Sequence, residues 1–193
     1  MSQGPPLDVS IAPTLVMFIR HGEKPNSHGA PHGVNHEGEA DEHALAVRGW
    51  MRAGALAALF AHLPNKSYPA VQQPARVVAT KPSSDAKSHR EHNTAHPIAQ
   101  RLALPVDSDL ERGSEQQVRD NILRDPRTTL VVWHHGELAH LVGGFPISNA
   151  GDVPASWPED RFDLIWVLAR NPGDQAYTFT SVNQGLLAGD LTT

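Results

Sequence analysis

Short apolar runs separated by longer segments constrain the fold of this chain most strongly. The runs lie at 14–20, 75–79, 128–133 and 162–169, and a fifth candidate, 176–182, is expected at a sheet edge. Each is a few residues long and rich in aliphatic side chains, as is typical of a buried strand. Because the strands alternate with helical segments, the sequence predicts an α/β fold with a largely parallel sheet.

Four segments are predicted to be helical. The clearest is 45–63 (LAVRGWMRAGALAALFAHL), where apolar residues recur at helical spacing and Pro64 ends the pattern. A second helix is predicted at 87–104, and Pro97 is expected to kink or restart it. The remaining helices are predicted at 114–123 and 136–142. Two long loops, 23–42 and 143–160, are left between these elements and are candidates for pocket walls.

Length and composition exclude several classes of protein. The chain has 193 residues and is interpreted as a single domain, 1–193, with an irregular Gly/Pro-rich segment at 1–13. It has no cysteine, so thiol chemistry and disulfides are excluded. A net charge of −5 argues against a nucleic-acid partner. No signal peptide or membrane span is recognised, so a cytoplasmic protein without a membrane partner is expected.

Two predicted strands end in nearly the same residues. The run 14–20 leads into Arg20-His21-Gly22-Glu23, and the run 128–133 leads into His134-His135-Gly136-Glu137. In open α/β sheets the binding crevice lies at the carboxyl ends of the strands, so both histidine motifs should project into it. The glycines let the backbone turn tightly beside a ligand.

The Arg20-His21-Gly22 motif resembles the signature of the histidine phosphatase (phosphoglycerate mutase-like) superfamily. The match extends over most of the chain and is closest to small bacterial members. The shared motifs are RHGEKP at 20–25, the L-x-x-R-G-x-x-R-A helix at 45–53, the R-x-x-x-T-x-x-P-I-A helix at 90–99 and W-x-H-x-x-L at 133–138. This resemblance implies a three-layer α/β/α sandwich and a phosphoric monoester hydrolase of the histidine acid phosphatase type, which needs no cofactor.

The resemblance assigns roles to several of these residues. His21 would attack phosphorus and form a phosphohistidine, since a neutral imidazole is a competent nucleophile near pH 7. Arg20 and Arg90 would bind the phosphoryl oxygens through planar guanidinium groups. Gly22, Glu23, Lys24 and Gly136 are candidate substrate-binding residues beside the two histidine motifs.

Two assignments stay open at this point. The second histidine, which would donate to the developing charge, is His135 by the W-x-H pattern or His134 by the broader superfamily pattern. The general acid is Glu111 in a Leu110-Glu111 context, with Glu23 and Glu137 as rivals beside the histidine motifs. Proton transfer requires hydrogen-bond reach to the ester oxygen, which a sequence does not reveal.

The chain has twelve histidines, and most lie outside these motifs. One group occupies the acidic loop 28–43, and another, His89, His92 and His96, follows helical spacing. Both groups are interpreted as polar surface rather than as metal sites, although they are also compatible with a metal-binding protein. The motifs are compatible as well with a phosphomutase and with a non-catalytic module that binds a phosphorylated ligand. The expected partners are a small phosphorylated substrate and inorganic phosphate, and a homodimer is left open.

Overall fold

The strands form around the apolar runs that the sequence indicated. The computed structural model describes residues 9–63, 68–84 and 87–191. Its strands are β1 Leu15–Ile19, β2 Gly33–Val34, β3 Leu45–Ala46, β4 Arg76–Ala79, β5 Val106–Asp107, β6 Thr129–Val132, β7 Leu164–Ala169 and β8 Thr178–Asn183. The five predicted strands correspond to β1, β4, β6, β7 and β8, and the three additional strands have only two residues each.

Six strands make the central sheet, in the order β5-β4-β6-β1-β7-β8. The pairs β5–β4, β4–β6 and β6–β1 are parallel, whereas β7 is antiparallel to both β1 and β8. Five strands therefore run in one direction and only β7 runs against them. The prediction of a mostly parallel sheet is confirmed, and β8 lies on an edge as expected.

Helices cover both faces of this sheet. They are α1 Val47–Ala61, α2 Arg90–Arg101, α3 Glu115–Leu123 and α4 His135–Gly143, with a 3₁₀ turn at Ala150–Asp152. Buried residues of α1 and α2 pack with Met17 and Ile19 of β1 on one face. Buried residues of α3 and α4 pack with Val16 and Phe18 on the other. This alternation along β1 produces the three-layer α/β/α sandwich that the resemblance implied.

Two helical predictions differ from the structure in detail. Helix α1 begins at Val47 rather than at residue 45, because Leu45 and Ala46 pair with Gly33 and Val34 as a short ribbon. Helix α2 continues through Pro97, so the expected restart there is wrong. A proline removes one backbone donor, and packing of the neighbouring Ala95 and Ile98 in the core holds the helix together. Pro64, the predicted end of α1, lies outside the described residues.

None of the helices in the described ranges is long and apolar enough to cross a membrane.

Candidate functional site

The carboxyl edge of the sheet gathers the candidate residues. Ile19 of β1 lies opposite Val132 of β6, and Val132 lies opposite Ala79 of β4. Arg20 and Thr80 therefore leave the sheet at the same level, on two strands that flank β6. Adjacent strands lie about 4.8 Å apart, so these side chains emerge from a narrow stretch of edge. Because β7 runs in the opposite direction, it brings its amino end, next to Phe162, to the same edge.

His21 is buried in a defined orientation, with 2% of its surface exposed. Its Nδ1 lies 2.6 Å from the carbonyl oxygen of Gly22. A carbonyl only accepts hydrogen bonds, so Nδ1 carries the proton and Nε2 keeps its lone pair. Burial, followed by the charge of Arg20, holds the pKa of His21 well below its usual value. The ring is therefore neutral near pH 7 and presents an unprotonated nitrogen.

Arg20 is a buried cation that is oriented by uncharged groups. Its Nη1 donates to the carbonyl oxygens of Glu159 at 2.6 Å and Arg161 at 3.4 Å, and its guanidinium carbon lies 3.9 Å from the ring centroid of Phe162. Burial lowers the pKa of Arg20 to about 10, so it stays charged at neutral pH. In the described part of the chain no carboxylate forms an ion pair with it. An anionic ligand would compensate this charge.

Arg90 is held by the loop before α1. Its Nε donates to the carbonyl oxygen of Ala44 at 3.0 Å, and its Nη2 donates to that of Glu42 at 2.5 Å. The same helix contacts the histidine motif directly, since Thr94 accepts a hydrogen bond from the Gly22 amide at 2.8 Å. The amino end of α2 is thus fixed beside His21, and Arg90 contributes to the electrostatic lowering of the His21 pKa.

The two adjacent histidines occupy different environments. The His135 ring lies 5.9 Å from that of His21, centroid to centroid, and stacks on the His134 ring at 4.7 Å. The Nδ1 atom of His134 accepts the Gly136 amide at 3.2 Å and so caps α4. Burial, together with the charge of Arg20, lowers the pKa of His135 to about 4. His135 is therefore the neutral ring that faces His21, and His134 is engaged in the helix cap.

Buried polar atoms without a hydrogen-bond partner are concentrated at this edge. Over the described ranges there are four such side-chain atoms: Arg20 Nε, Thr80 Oγ1, Glu91 Oε1 and His135 Nδ1. All four belong to residues at the carboxyl ends of strands or at the amino ends of the helices that follow them. Buried polar groups are normally satisfied, so their concentration here indicates a binding pocket for a polar ligand.

The carboxylate of Glu23 is engaged in an ion-pair network. It accepts from Arg52 at 2.7 Å, and Arg52 also donates to Asp190 at 2.8 Å. Arg48 joins at 3.0 Å from Glu23. This network fastens the end of the chain and α1 to the histidine motif. Lys24, the next candidate, is exposed, and its charge acts on His135.

The two candidate glycines are required by neighbouring groups of the protein itself. A Cβ on Gly22 would lie 2.7 Å from the carbonyl oxygen of Gly49, which is rigid helix backbone. A Cβ on Gly136 would lie 3.2 Å from the ring of His134. The amides of both glycines already donate, to Thr94 and to His134 respectively. Close packing of α1 therefore explains Gly22, and the capping ring of His134 explains Gly136.

Glu111 lies at the same edge but farther out. It forms an isolated bridge with Lys81, and its carboxylate lies 3.9 Å from the Lys81 ammonium group, with about half of the side chain exposed. Glu137, its rival, is paired with Arg112 at 2.8 Å. Of the three glutamates proposed as proton donors, Glu111 is the least tightly paired.

The structure adds residues that the sequence did not indicate. Phe162 and the carbonyls of Glu159 and Arg161 hold Arg20, and Trp157 fixes that loop by donating to the Arg161 carbonyl at 2.7 Å. Trp157 itself is buried against Trp166, with ring centroids 4.6 Å apart, so it belongs to the core rather than to a pocket wall. The aromatic residue before a closing strand was the only sequence signal for this part of the site.

The many other histidines do not gather into a ligand set. Across residues 9–63, 68–84 and 87–191, no group of three or more histidine, aspartate or glutamate side chains is arranged to hold a metal ion. His92 and His96 stack at 5.8 Å on α2.

Comparisons with known proteins agree with this architecture. No protein-family profile matches the sequence, and no curated protein matches it significantly. Solved structures do match in fold, at 15–16% sequence identity.

Two of these structures illustrate the match. A mycobacterial glucosyl-3-phosphoglycerate phosphatase in complex with VO3 superimposes with a TM-score of 0.54 at 15% identity, over 87% of this chain and 97% of that one. The protein histidine phosphatase SixA in complex with tungstate gives a TM-score of 0.52 at 16% identity, over 88% and 97%. Both cover nearly the whole of the compared chains, so the shared architecture is not restricted to one motif.

Proposed function

We propose that this chain is a phosphoric monoester hydrolase of the histidine acid phosphatase type that works through a phosphohistidine on His21. The observation that carries the proposal is the buried, neutral imidazole of His21. Its Nδ1 is bound to the Gly22 carbonyl, which leaves Nε2 with its lone pair, and the adjacent Arg20 has a buried Nε without a hydrogen-bond partner among the described residues. A nucleophile with an adjacent cationic pocket is the arrangement that phosphoryl transfer requires.

The reaction would proceed in two displacements at phosphorus. In the first, the Nε2 lone pair attacks, the P–N bond forms and the P–O ester bond breaks, and the leaving oxygen takes up a proton. In the second, water attacks phosphorus and passes a proton to the group that protonated the leaving oxygen, while the P–N bond breaks and inorganic phosphate is released. Arg20, Arg90 and His135 would stabilise the charge on the three equatorial oxygens in both steps.

The donor of the proton to the leaving oxygen is proposed to be Glu111. The carboxylates of Glu23 and Glu137 are held by arginines at 2.7 and 2.8 Å, whereas the Glu111 carboxylate lies 3.9 Å from the Lys81 ammonium group and is freer to reach a substrate. Its half-exposed position at the rim suits contact with the outward-facing part of a substrate. Lys24, exposed beside His135, would add positive charge above the phosphoryl group.

The substrate is proposed to be a small phosphorylated molecule. The neighbouring structures were solved with VO3 and tungstate, which are oxyanions of the same charge type as phosphate. The mycobacterial neighbour is a glucosyl-3-phosphoglycerate phosphatase, and SixA is a protein histidine phosphatase, as their names state. We propose for this chain a phosphate monoester, the same chemical class of substrate that the name of the mycobacterial phosphatase indicates.

Turnover of p-nitrophenyl phosphate tests the proposal. The wild type should release phosphate with or without a chelator, and His21→Ala should abolish release. Acid-labile phosphate should be trapped on the wild type and not on His21→Ala. His32→Ala, a change of an exposed loop histidine, is the matched control and should leave both readouts unchanged. Full activity of His21→Ala, or an inactive wild type across a broad panel of phosphate esters, would refute the proposal.

A further inference from the structure

One buried acidic group at the pocket has no role in the steps above. Glu91 occupies the first turn of α2, directly after Arg90, and only 2% of its surface is exposed. Ser88 donates to its Oε2 atom at 3.1 Å, while Oε1 has no partner in the described part of the chain. A buried carboxylate with an unsatisfied oxygen lowers the stability of the fold, so its presence at this position calls for an explanation.

Glu91 lies within the electrostatic influence of both arginines proposed to bind the phosphoryl group. The cations that act on it are Arg90, its neighbour on α2, and Arg20, at the end of β1. Among the carboxylates that act on Arg20, Glu91 has the largest effect. Neither arginine forms a direct ion pair with it, so the charge of Glu91 is not neutralised by contact with either of them.

An oxyanion that binds Arg20 and Arg90 would enter the field of Glu91. A second negative charge close to a buried carboxylate raises the affinity of that carboxylate for a proton. Burial already raises the pKa of Glu91 above its ordinary value, and a bound oxyanion would raise this pKa further. Linkage is reciprocal: a proton on Glu91 must strengthen oxyanion binding by the same factor.

We propose that Glu91 is a proton-linked counter-charge of the pocket. It takes up one proton from solvent when an oxyanion occupies Arg20 and Arg90, and it returns that proton when the oxyanion leaves. This inference rests on the proposed function, because it requires the arginine pair to bind a phosphoryl group or phosphate. Its consequence is that product phosphate is released more readily as the pH rises.

Sulfate is the appropriate probe, because it remains a dianion from pH 4.5 to 9 and does not itself titrate. For the wild type, the sulfate dissociation constant should rise by up to tenfold per pH unit above the pKa of Glu91. Glu91→Gln keeps the shape and the Ser88 contact but removes the charge. It should bind sulfate at least tenfold more tightly than the wild type at pH 8, and equally well at pH 4.5.

Calorimetry in two buffers of different ionisation enthalpy gives an independent readout. The wild type should take up close to one proton more per sulfate at pH 7 than Glu91→Gln, because any uptake by His21 and His135 is common to both proteins. Glu37→Gln, an exposed loop change, is the matched control and should behave as the wild type. Parallel pH profiles and equal proton uptake in the wild type and Glu91→Gln would overturn the role of Glu91 alone. A wild type that binds no oxyanion would overturn this role together with the proposed function.

Discussion

The rings of His21 and His135 meet edge to face, with centroids 5.9 Å apart and ring planes at 83°. This contact joins the ends of β1 and β6, two parallel strands that are paired from Val16 to Ile19 of β1. It distinguishes His135 from His134, whose Nδ1 is engaged by the Gly136 amide. The geometry therefore favours His135 as the second histidine of the site and gives the two residues separable roles.

Replacing each histidine in turn tests this separation. His135→Ala should lower kcat by about 100- to 1,000-fold, the loss expected for one donor to developing charge. His134→Ala should keep kcat within a few-fold of the wild type and lower the free energy of unfolding by about 1 kcal/mol, through the lost helix cap. Steady-state kinetics and urea unfolding of both variants supply the comparison. Equal loss of kcat in the two variants would contradict the assignment.

Gly22 is predicted to be intolerant of any side chain. Gly22→Ala places a Cβ 2.7 Å from the Gly49 carbonyl oxygen, and neither backbone can move without disturbing α1 or His21. We expect a loss of about 1–3 kcal/mol in the free energy of unfolding. Gly54→Ala is the control within α1, because a Cβ there meets nothing within 4 Å. That variant should gain up to about 1 kcal/mol through helix propensity. Similar urea midpoints for the two variants would contradict the packing argument.

The buried pair of Arg52 and Asp190 predicts an acid-sensitive stability. Burial would raise the pKa of Asp190, but hydrogen bonds from Arg52 and from backbone amides outweigh it and hold the pKa at about 2. A pKa lowered by folding gives stability that is present above the unfolded value, about 4, and is lost as the pH falls towards 2. Asp190→Asn should therefore cost about 3 kcal/mol at pH 7 and almost nothing at pH 2.

Urea unfolding across that pH range measures the effect. Asp120→Asn is the control, since its partner Arg119 is a sequence neighbour and both side chains are partly exposed. Such a pair contributes about 1 kcal/mol or less. If Asp190→Asn lowers the free energy of unfolding by the same amount at every pH, the shape of the side chain and not its charge stabilises the fold at this position.

The contribution of Glu91 to stability is predicted to depend on pH in the opposite direction from that of Asp190. Burial raises its pKa on folding, so the folded state binds more protons than the unfolded state between the two pKa values. Stability contributed by this group is full below the unfolded pKa, about 4.5, and falls as the pH rises through the folded pKa. Glu91→Gln should therefore raise Tm at pH 8 and leave it unchanged at pH 4. A lower Tm at pH 8 would contradict this effect of burial.

The sequence could predict the parts of the site that lie within one continuous segment. His21 and His135 follow apolar strands directly, so strand prediction alone places both at the carboxyl edge. The R-x-x-x-T spacing likewise places Arg90 and Thr94 one turn apart on α2, and Thr94 reaches Gly22 from there.

Contacts between distant segments could not be predicted in this way. Arg52 and Asp190 are separated by 138 residues, and their pairing depends on how the last loop crosses α1. Glu91 lies on a polar helix segment, where the sequence pattern favours exposure, yet the fold buries it. Phe162 reaches Arg20 because β7 runs against its neighbours, and strand direction is a property of the whole sheet.

The leaving-group dependence of turnover tests the proton donor. A p-nitrophenolate leaves readily without protonation, whereas the alkoxide of an alkyl phosphate needs a proton as the P–O bond breaks. Glu111→Gln should therefore lower kcat on an alkyl phosphate by about 100-fold or more, and on p-nitrophenyl phosphate by only a few-fold. The exposed Lys81–Glu111 contact contributes little to stability, so unfolding should be nearly unchanged. Glu137→Gln is the control at the same edge and should show no such dependence on the leaving group. If Glu137→Gln shows it instead, the donor is the carboxyl on α4, and its pairing with Arg112 must open when substrate binds.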